Sequence, residues 1–410
     1  MHILHVAASL GPESAAGRLC TSLSREGCTV SSLGIEPPAF NDGYFFSDSA
    51  SQIQWRRRLG RIALRLHPQR DAAMPWTSPW CAYSLDKWVK KLNPDVVHMH
   101  WVAASTVNLP RLAALPVPIV WTFHDMWPLT AGCHCPLDCE QWQKQCSTCP
   151  QLGKGLMGFD MARLAWDYKK NAYHKLKHAY AIGPSRWMTK MASLSSLWQK
   201  KPCSHLGNAL DINVFAPQNK TAARRQWGLP NDVPILLFGA TSSKITYKGF
   251  DLLIKALQEN NTQEKRLHLA IFGEHNEADL QIPCTCVGFV SDPSKLASLY
   301  SAADIFVSPS RQDNLPTTLI EASACETPCV AFDIGGISDI ITHNQHGYLA
   351  PPFDVKELAQ GISLLLDNPA LRKQWGKAAR NHVLTHFESS LIARQHITFY
   401  EEIIQRVNRD

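Results

Sequence analysis

Residues 308–341, SPSRQDNLPTTLIEASACETPCVAFDIGGISDII, constrain the fold of this chain more than any other stretch. An apolar, β-branched run at 305–307 leads in, LIEASAC has helical spacing, and Val330, Ala331 and Phe332 form a second apolar run that stops at Gly335 and Gly336. Strand, loop, helix, strand in that order predicts a parallel α/β unit. The loop after the first strand then lies at the carboxyl edge of the sheet, where open α/β folds bind ligands, and the unpaired amides at the helix start favour an anion. Two acids fall there, Asp313 in the loop and Glu321 inside the helix. Their spacing fits two readings. Either one acid holds a hydroxylated group at the helix mouth while the other reaches it from further along, or Asp313 caps the helix and Glu321 is a solvated helix residue.

The chain has 410 residues, beyond the size at which single cores divide, so two domains are expected. No run approaches the length of a membrane span and the first residues lack the basic start and long apolar core of a signal peptide, which predicts a cytoplasmic protein. Its 13 cysteines are then expected as reduced thiols or metal ligands. Charge is uneven: residues 1–202 hold 23 Lys and Arg against 13 Asp and Glu (+10), leaving 18 against 22 (−4) for 203–410. The sequence has no nucleic-acid-binding module, so an anionic membrane surface or a pyrophosphate-bearing acceptor accounts for the basic half better than nucleic acid.

In that half, residues 3–8 read as a first strand, 9–12 as a small-residue loop containing Gly11, and 14–25 as a helix containing Gly17. Residues 53–70, IQWRRRLGRIALRLHPQR, carry six arginines and no acid, with Trp55, Leu59, Ile62, Ala63 and Leu66 on one helical face. That stripe fits either an anionic lipid surface or the helix's own domain. Strands at 96–100 and 118–123 follow, the second ending at His124 and Asp125, so a histidine stands at a strand's carboxyl end with an acid expected to orient it. Cys146 and Cys149 form C-x2-C, with Cys133 and Cys139 upstream at spacings that let a loop fold back. Four thiolates on a tetrahedral zinc, free thiols packed in a loop, and a disulfide pair all fit that spacing. Residues 162–177 read as a long polar helix and 202–211 as an interdomain linker. A strand at 235–239 opens the second half, and Lys248, with Lys244 nearby, sits between its end and the next helix, a place suited to a phosphate.

Pro309-Ser310, the acid at Asp313, Leu315-Pro316, Glu321-Ala322 and Thr327-Pro328 before an apolar strand resemble the acid-x7-acid signature of the family 4 glycosyltransferases, retaining GT-B enzymes that use nucleotide sugars. With gaps, the resemblance runs from about Met1 to Tyr400. It implies two Rossmann-like α/β domains facing across a cleft: an acceptor domain at 1–205, completed by a C-terminal helix at 389–410 that crosses back, and a nucleotide-sugar domain at 206–388. It further implies that Glu321 binds the donor ribose, that Asp313 lies near the transferred sugar with His124, and that Lys248 and Lys244 hold the diphosphate. Asn314, Leu315 and Thr317 would surround the donor at the helix mouth, Gly288 and Phe289 would meet the base, and Gly11 and Gly17 would approach substrate where relatives have a Gly-Gly pair. The cysteines Cys133, Cys139, Cys146 and Cys149 resemble a cysteine-bearing insertion of a bacterial subgroup, which implies a structural zinc.

The sequence departs from the pattern at Asp313, where Glu is usual, at Glu326, where Gly is common, at Ser243, in the place of a diphosphate-binding Arg, and at Cys135, in the place of an aromatic residue. The implied activity is transfer from a UDP- or GDP-sugar to a growing surface polysaccharide or polyprenyl-linked oligosaccharide, peripheral to the cytoplasmic membrane, with no catalytic metal because Lys248 and helix amides would stabilise the departing diphosphate. Two rivals share the pattern: a nucleotide-sugar epimerase on the same fold, and a non-catalytic subunit that binds a sugar or lipid carrier.

Overall fold

The computed structural model describes residues 1–35, 43–45, 50–242, 245–259, 266–274 and 282–409. The chain forms two compact units, Met1–Ala209 with Ser390–Asp410, and Leu210–Ser389.

The first unit is built on seven strands: β1 (His2–Val6), β2 (Thr29–Gly34), β3 (Gly43–Phe45), β4 (Val96–Met99), β5 (Ile119–Thr122), β6 (Ala179–Gly183) and β7 (Cys203–His205). All pair in parallel, in the order β3-β2-β1-β4-β5-β6-β7. Short runs rich in Val and Ile, buried along their whole length in β4 and β5, suit a parallel sheet covered on both faces. The stretch expected as linker from 202 onward starts instead as β7, because Cys203, Ser204 and His205 complete the edge beside β6. The Ala15–Arg25 helix is started by Ser14, whose hydroxyl accepts from Gly17 N–H.

Two helices differ from their expected character. Met161–His174, expected to be polar, buries seven residues including Trp166, Tyr173 and Lys169. The basic segment is an α-helix over Ala50–Ile62 that tightens to a 3₁₀ turn over Ala63–Leu66. Its buried contacts come from Gly60 and Leu64, while Trp55 (63%), Ile62 (50%) and Leu66 (38%) are exposed. The C-terminal helix, Ser389–Val407, covers the first sheet with Ile392, Ala393, Tyr400 and Ile403, against Ile3, Leu19, Leu23 and Val96.

The second unit holds six parallel strands: β8 (Ile235–Ser242), β9 (His268–Glu274), β10 (Cys284–Gly288), β11 (Ile305–Ser308), β12 (Cys329–Phe332) and β13 (Gly347–Ala350). Their order is β10-β9-β8-β11-β12-β13. The expected strand, helix and strand of the acidic segment are β11, the Thr317–Ala324 helix and β12. The turn between that helix and β12 puts Glu326 at φ 61°, and Gly376 of the Pro369–His386 helix lies so close beneath that an added Cβ would stand 2.1 Å from the Glu326 carbonyl oxygen. No described helix is long and apolar enough to cross a membrane.

Candidate active site

In the second sheet the strand order reverses between β8 and β11, because β8 connects outward to β9 on one side and β11 to β12 on the other. Such a switch point leaves a crevice at the carboxyl ends of the two strands. The loops after β8 and β11 fill it and are pinned together. Arg311 N–H donates to Tyr247 O (2.7 Å), and the Arg311 guanidinium donates to Thr246 O (2.7 Å) and grips both oxygens of Asp251 (2.8 and 2.6 Å). Gly249 adopts φ 71° with its Cα against Pro309, where a Cβ would stand 1.9 Å from the carbonyl oxygen. Only glycine fits there. On the far side Gly335, at φ 56°, presses as closely on the Asp313 carbonyl.

This bracing brings two of the expected site residues into contact: Lys248 Nζ lies 2.7 Å from Asp313 Oδ2 in a half-buried ion pair. Asp313 therefore does not cap the following helix. The cap position is Pro316, which offers no side-chain acceptor, so the first amides of Thr317–Ala324 have no side-chain cap and are open to an anion. Glu321 is not a solvated helix residue either. It is 3% exposed and accepts a hydrogen bond from Tyr300 Oη at 2.9 Å. Asn314 and Leu315 are buried and Leu315 packs in the core, while Thr317 is half-buried. Gly288, at φ 73°, ends β10, and Phe289 beside it is 74% exposed. Lys244 and Ser243 lie outside the described residues.

The first unit places His124 just after β5 and joins it to a buried file of imidazoles. His100 Nδ1 lies 3.1 Å from His124 Nε2, and His100 Nε2 lies 2.9 Å from His5 Nδ1. His98 sits alongside, with Nδ1 2.6 Å from Tyr400 Oη and Nε2 2.7 Å from Thr122 Oγ1. His5, His98 and His100 bring a ring nitrogen each within 4.8 Å of one another. Of their six nitrogens only His5 Nε2 has no partner, so the cluster is a hydrogen-bonded file and not a set of open ligands. Asp125, expected to orient His124, instead accepts from Trp127 N–H (2.8 Å), Trp101 Nε1 (2.9 Å) and His134 Nδ1 (2.7 Å). Gly17 has a local reason to be glycine: its Cβ would stand 2.1 Å from Gly11 O. Gly11 itself has open space around it.

None of the thirteen cysteines is in a disulfide, so the structure does not adopt the disulfide reading. Burial, and then the neighbouring thiols of Cys149, Cys146 and Cys139, push the Cys133 thiol well up, and burial pushes Cys146 to about 12. The thiol of Cys149 is raised by burial against the opposing pull of the Gln151 and Leu152 amides. Beside them lies Lys169, fully buried, its ammonium 3.4 Å over the Trp127 ring and donating to Trp127 O (2.5 Å) and Thr130 O (3.1 Å). Burial depresses its pKa, and Cys133, Cys146 and Asp125 act in the opposite direction.

Family comparisons agree with this architecture. A model of "Glycosyltransferase Family 4" matches residues 11–192, and one of "Glycosyl transferases group 1" matches residues 219–382. The chain belongs to the family 4 glycosyltransferases of the GT-B fold. It is 27% identical over 311 residues to a D-inositol 3-phosphate glycosyltransferase of Kribbella flavida, a match covering 70% of this chain and 66% of that relative. The chain spans about half of the length of others, 56% and 46% in two cases. In fold it is similar to a sucrose-phosphate synthase from Thermosynechococcus elongatus (TM-score 0.67, 17% identity, 99% of this chain and 100% of that one) and to Anabaena HepE in complex with UDP-glucose (TM-score 0.63, 16% identity, 98% and 100%).

Several residues of this glycosyltransferase escaped the sequence reading. Tyr300 and Arg311 have no motif of their own, and the file His5, His100, His124 joins three strands that only the fold makes neighbours. The alternation His98-Met99-His100, repeated by His5 on β1, was the available signal.

Burial lowers His5 to about 3 and His124 and His396 to about 4, and holds His98 and His100 well below 6.5; the His396 ring nearby adds to this at His5, whereas Asp125 opposes it at His124. These rings are neutral when folded and take up protons near 6.5 when unfolded. Their contribution is therefore complete above pH 6.5 and is lost as pH falls toward 4, by about 1.4 kcal/mol per unit for each ring. Denaturant unfolding at stepped pH should show that steep fall, and His5→Asn should shallow it by about one proton. A flat profile between pH 6.5 and 4.5 would contradict the neutral file.

Proposed function

We propose that this glycosyltransferase moves a sugar, with retained anomeric configuration, from a UDP- or GDP-sugar to a glycan or polyprenyl-linked oligosaccharide acceptor. The observation that carries this is the Lys248–Asp313 pair at a strand-order switch point, beside a helix start without a side-chain cap. Lys248 and those amides suit a diphosphate and would stabilise charge as it departs. Glu321, held by Tyr300, would accept from the donor ribose, and Asp313 would lie by the transferred sugar. In front-face attack the departing phosphate oxygen takes the proton of the acceptor hydroxyl as the new glycosidic bond forms and the sugar–phosphate bond breaks, so no carboxylate nucleophile is needed.

His124 would act as a neutral donor. A buried N–H without an acceptor is rarer than a bare acceptor nitrogen, so His5, whose Nε2 has no partner, carries its proton on Nδ1. It then donates to His100, which donates to His124 Nε2 and leaves the His124 proton on Nδ1.

The donor roles separate by calorimetry with the bare nucleoside diphosphate. Glu321→Gln should weaken its binding at least tenfold, by loss of roughly 1.5–3 kcal/mol of charge-assisted hydrogen bonding. Asp313→Asn should leave that binding unchanged or tighten it, because Lys248 loses a competing carboxylate, while turnover falls. Loss of binding in Asp313→Asn with none in Glu321→Gln would reverse the two roles.

The outward stripe Trp55, Ile62 and Leu66, with exposed Arg58 beside it, supports docking on an anionic membrane surface. Trp55→Ser with Ile62→Ser should release the protein from anionic vesicles, and salt should weaken wild-type binding. Equal binding to neutral and anionic vesicles would reject the idea.

The reading of Cys133, Cys139, Cys146 and Cys149 as a structural zinc site rests on their spacing and on the resemblance; among the described residues their sulfurs do not stand within 4.8 Å of one another as a ligand set, so a metal would have to draw them together. Four thiolates on one zinc would carry a net double negative beside Lys169 and would oppose the fall in its pKa that burial imposes. Purified protein should hold about one zinc per chain. Cys149→Ser should lose it, and Lys169→Met should yield it to a chelator sooner. Chelator-free protein without zinc would end this reading.

A further inference from the structure

We infer that a cavity in the first unit, between the 3₁₀-extended helix of residues 50–66 and the segment 74–78, binds a phosphate or diphosphate group carried by the acceptor; this rests on the transferase reading above. The cavity measures about 530 Å³, within the range of small-ligand sites. Three arginines, Arg61, Arg65 and Arg70, are among its lining residues, and all three are exposed. Among the described residues no carboxylate pairs with any of them. The adjacent acid, Asp71, is turned to its own loop and accepts from Ala73 N–H at 2.9 Å. Three cations around one concavity, unpaired among the described residues, repel one another, and an anion with several oxygens would relieve that repulsion while matching the guanidinium fork.

The floor is preformed. Ser78 Oγ donates to Gly60 O at 2.7 Å, and Gly60 approaches so closely that a Cβ there would stand 2.6 Å from Ser105 Oγ. Ala104 and Ser105, which also line the cavity, both sit in the left-handed region at φ 54° and 66°. Two successive residues in that conformation are strained, and such strain gathers at ligand sites. The wall is also wired to the expected reacting centre. Thr77 lines the cavity, and its Oγ1 lies 2.9 Å from His134 Nε2, whose Nδ1 lies 2.7 Å from Asp125, the residue after His124. A phosphate seated among the arginines thus has its anchor on the same hydrogen-bonded loop that carries His124.

The test uses the full chain and inorganic pyrophosphate, with UDP or GDP present at saturation to fill the nucleotide site of the second unit. Calorimetry at low salt should detect pyrophosphate binding that weakens as salt rises. Arg65→Gln with Arg70→Gln should lower that affinity at least tenfold with an unchanged melting temperature. In turnover, the same variant should raise KM tenfold or more for a sugar acceptor linked to a short prenyl diphosphate, and leave KM for the donor and turnover with a phosphate-free acceptor near wild type. Pyrophosphate that fails to bind once the nucleotide saturates, or binds the variant as it binds wild type, overturns the inference. So does a variant that loses only its binding to anionic vesicles, which would assign the arginines to lipid headgroups. Failure to bind or turn over any nucleotide sugar would instead strike the transferase reading, with pyrophosphate binding still measurable on its own.

Discussion

The reversal of strand order between β8 and β11 is the constraint on which the second unit depends. Two parallel neighbours whose connections leave in opposite directions cannot cover the gap between their ends, so the loops that follow them must. The loop after β8 supplies a cation and the loop after β11 an anion, and they meet at 2.7 Å. The pair is a result of topology, since the two residues stand 65 positions apart. The same reversal occurs in the first sheet between β1 and β4, and there it brings His5 on β1 beside His98 and His100 at the end of β4.

The sequence could be read as far as local chemistry reaches. The run from Ile305 to Phe332 declared its strand, helix and strand because apolar period and turn residues are local signals, and the C-terminal helix was clear for the same reason. The family resemblance then fixed the fold class. What a single stretch does not contain is the partner of each group. Spacing left open whether Glu321 is solvated, because its buried environment comes from Tyr300 on another helix. It left open whether Asp313 is a cap, because Lys248 is remote in sequence. Met161–His174 looked polar because nothing in its composition tells that Lys169 points inward against Trp127.

Lys169 and the histidine file show opposite ways of burying ionisable groups. The histidines accept neutrality, each passing one proton along a line of nitrogens, and the protein keeps them at the expense of acid tolerance. Lys169 instead keeps two carbonyl oxygens and a ring face against its amino group, contacts that oppose in part the fall in pKa that burial imposes on it.

Glu326 explains one departure from the family pattern. Its φ of 61° is the conformation a glycine adopts without penalty, which gives a physical reason for relatives to carry Gly there. A side chain at that turn costs about 1 kcal/mol, yet Gly376 comes so close beneath that the backbone has no room to relax into another shape. The helix that ends at Ala324 is therefore followed by a corner under tension. Because Glu321 is about one turn upstream of that corner, packing from below sets how firmly its carboxylate is held, and the turn acts as a spring seat for that acid.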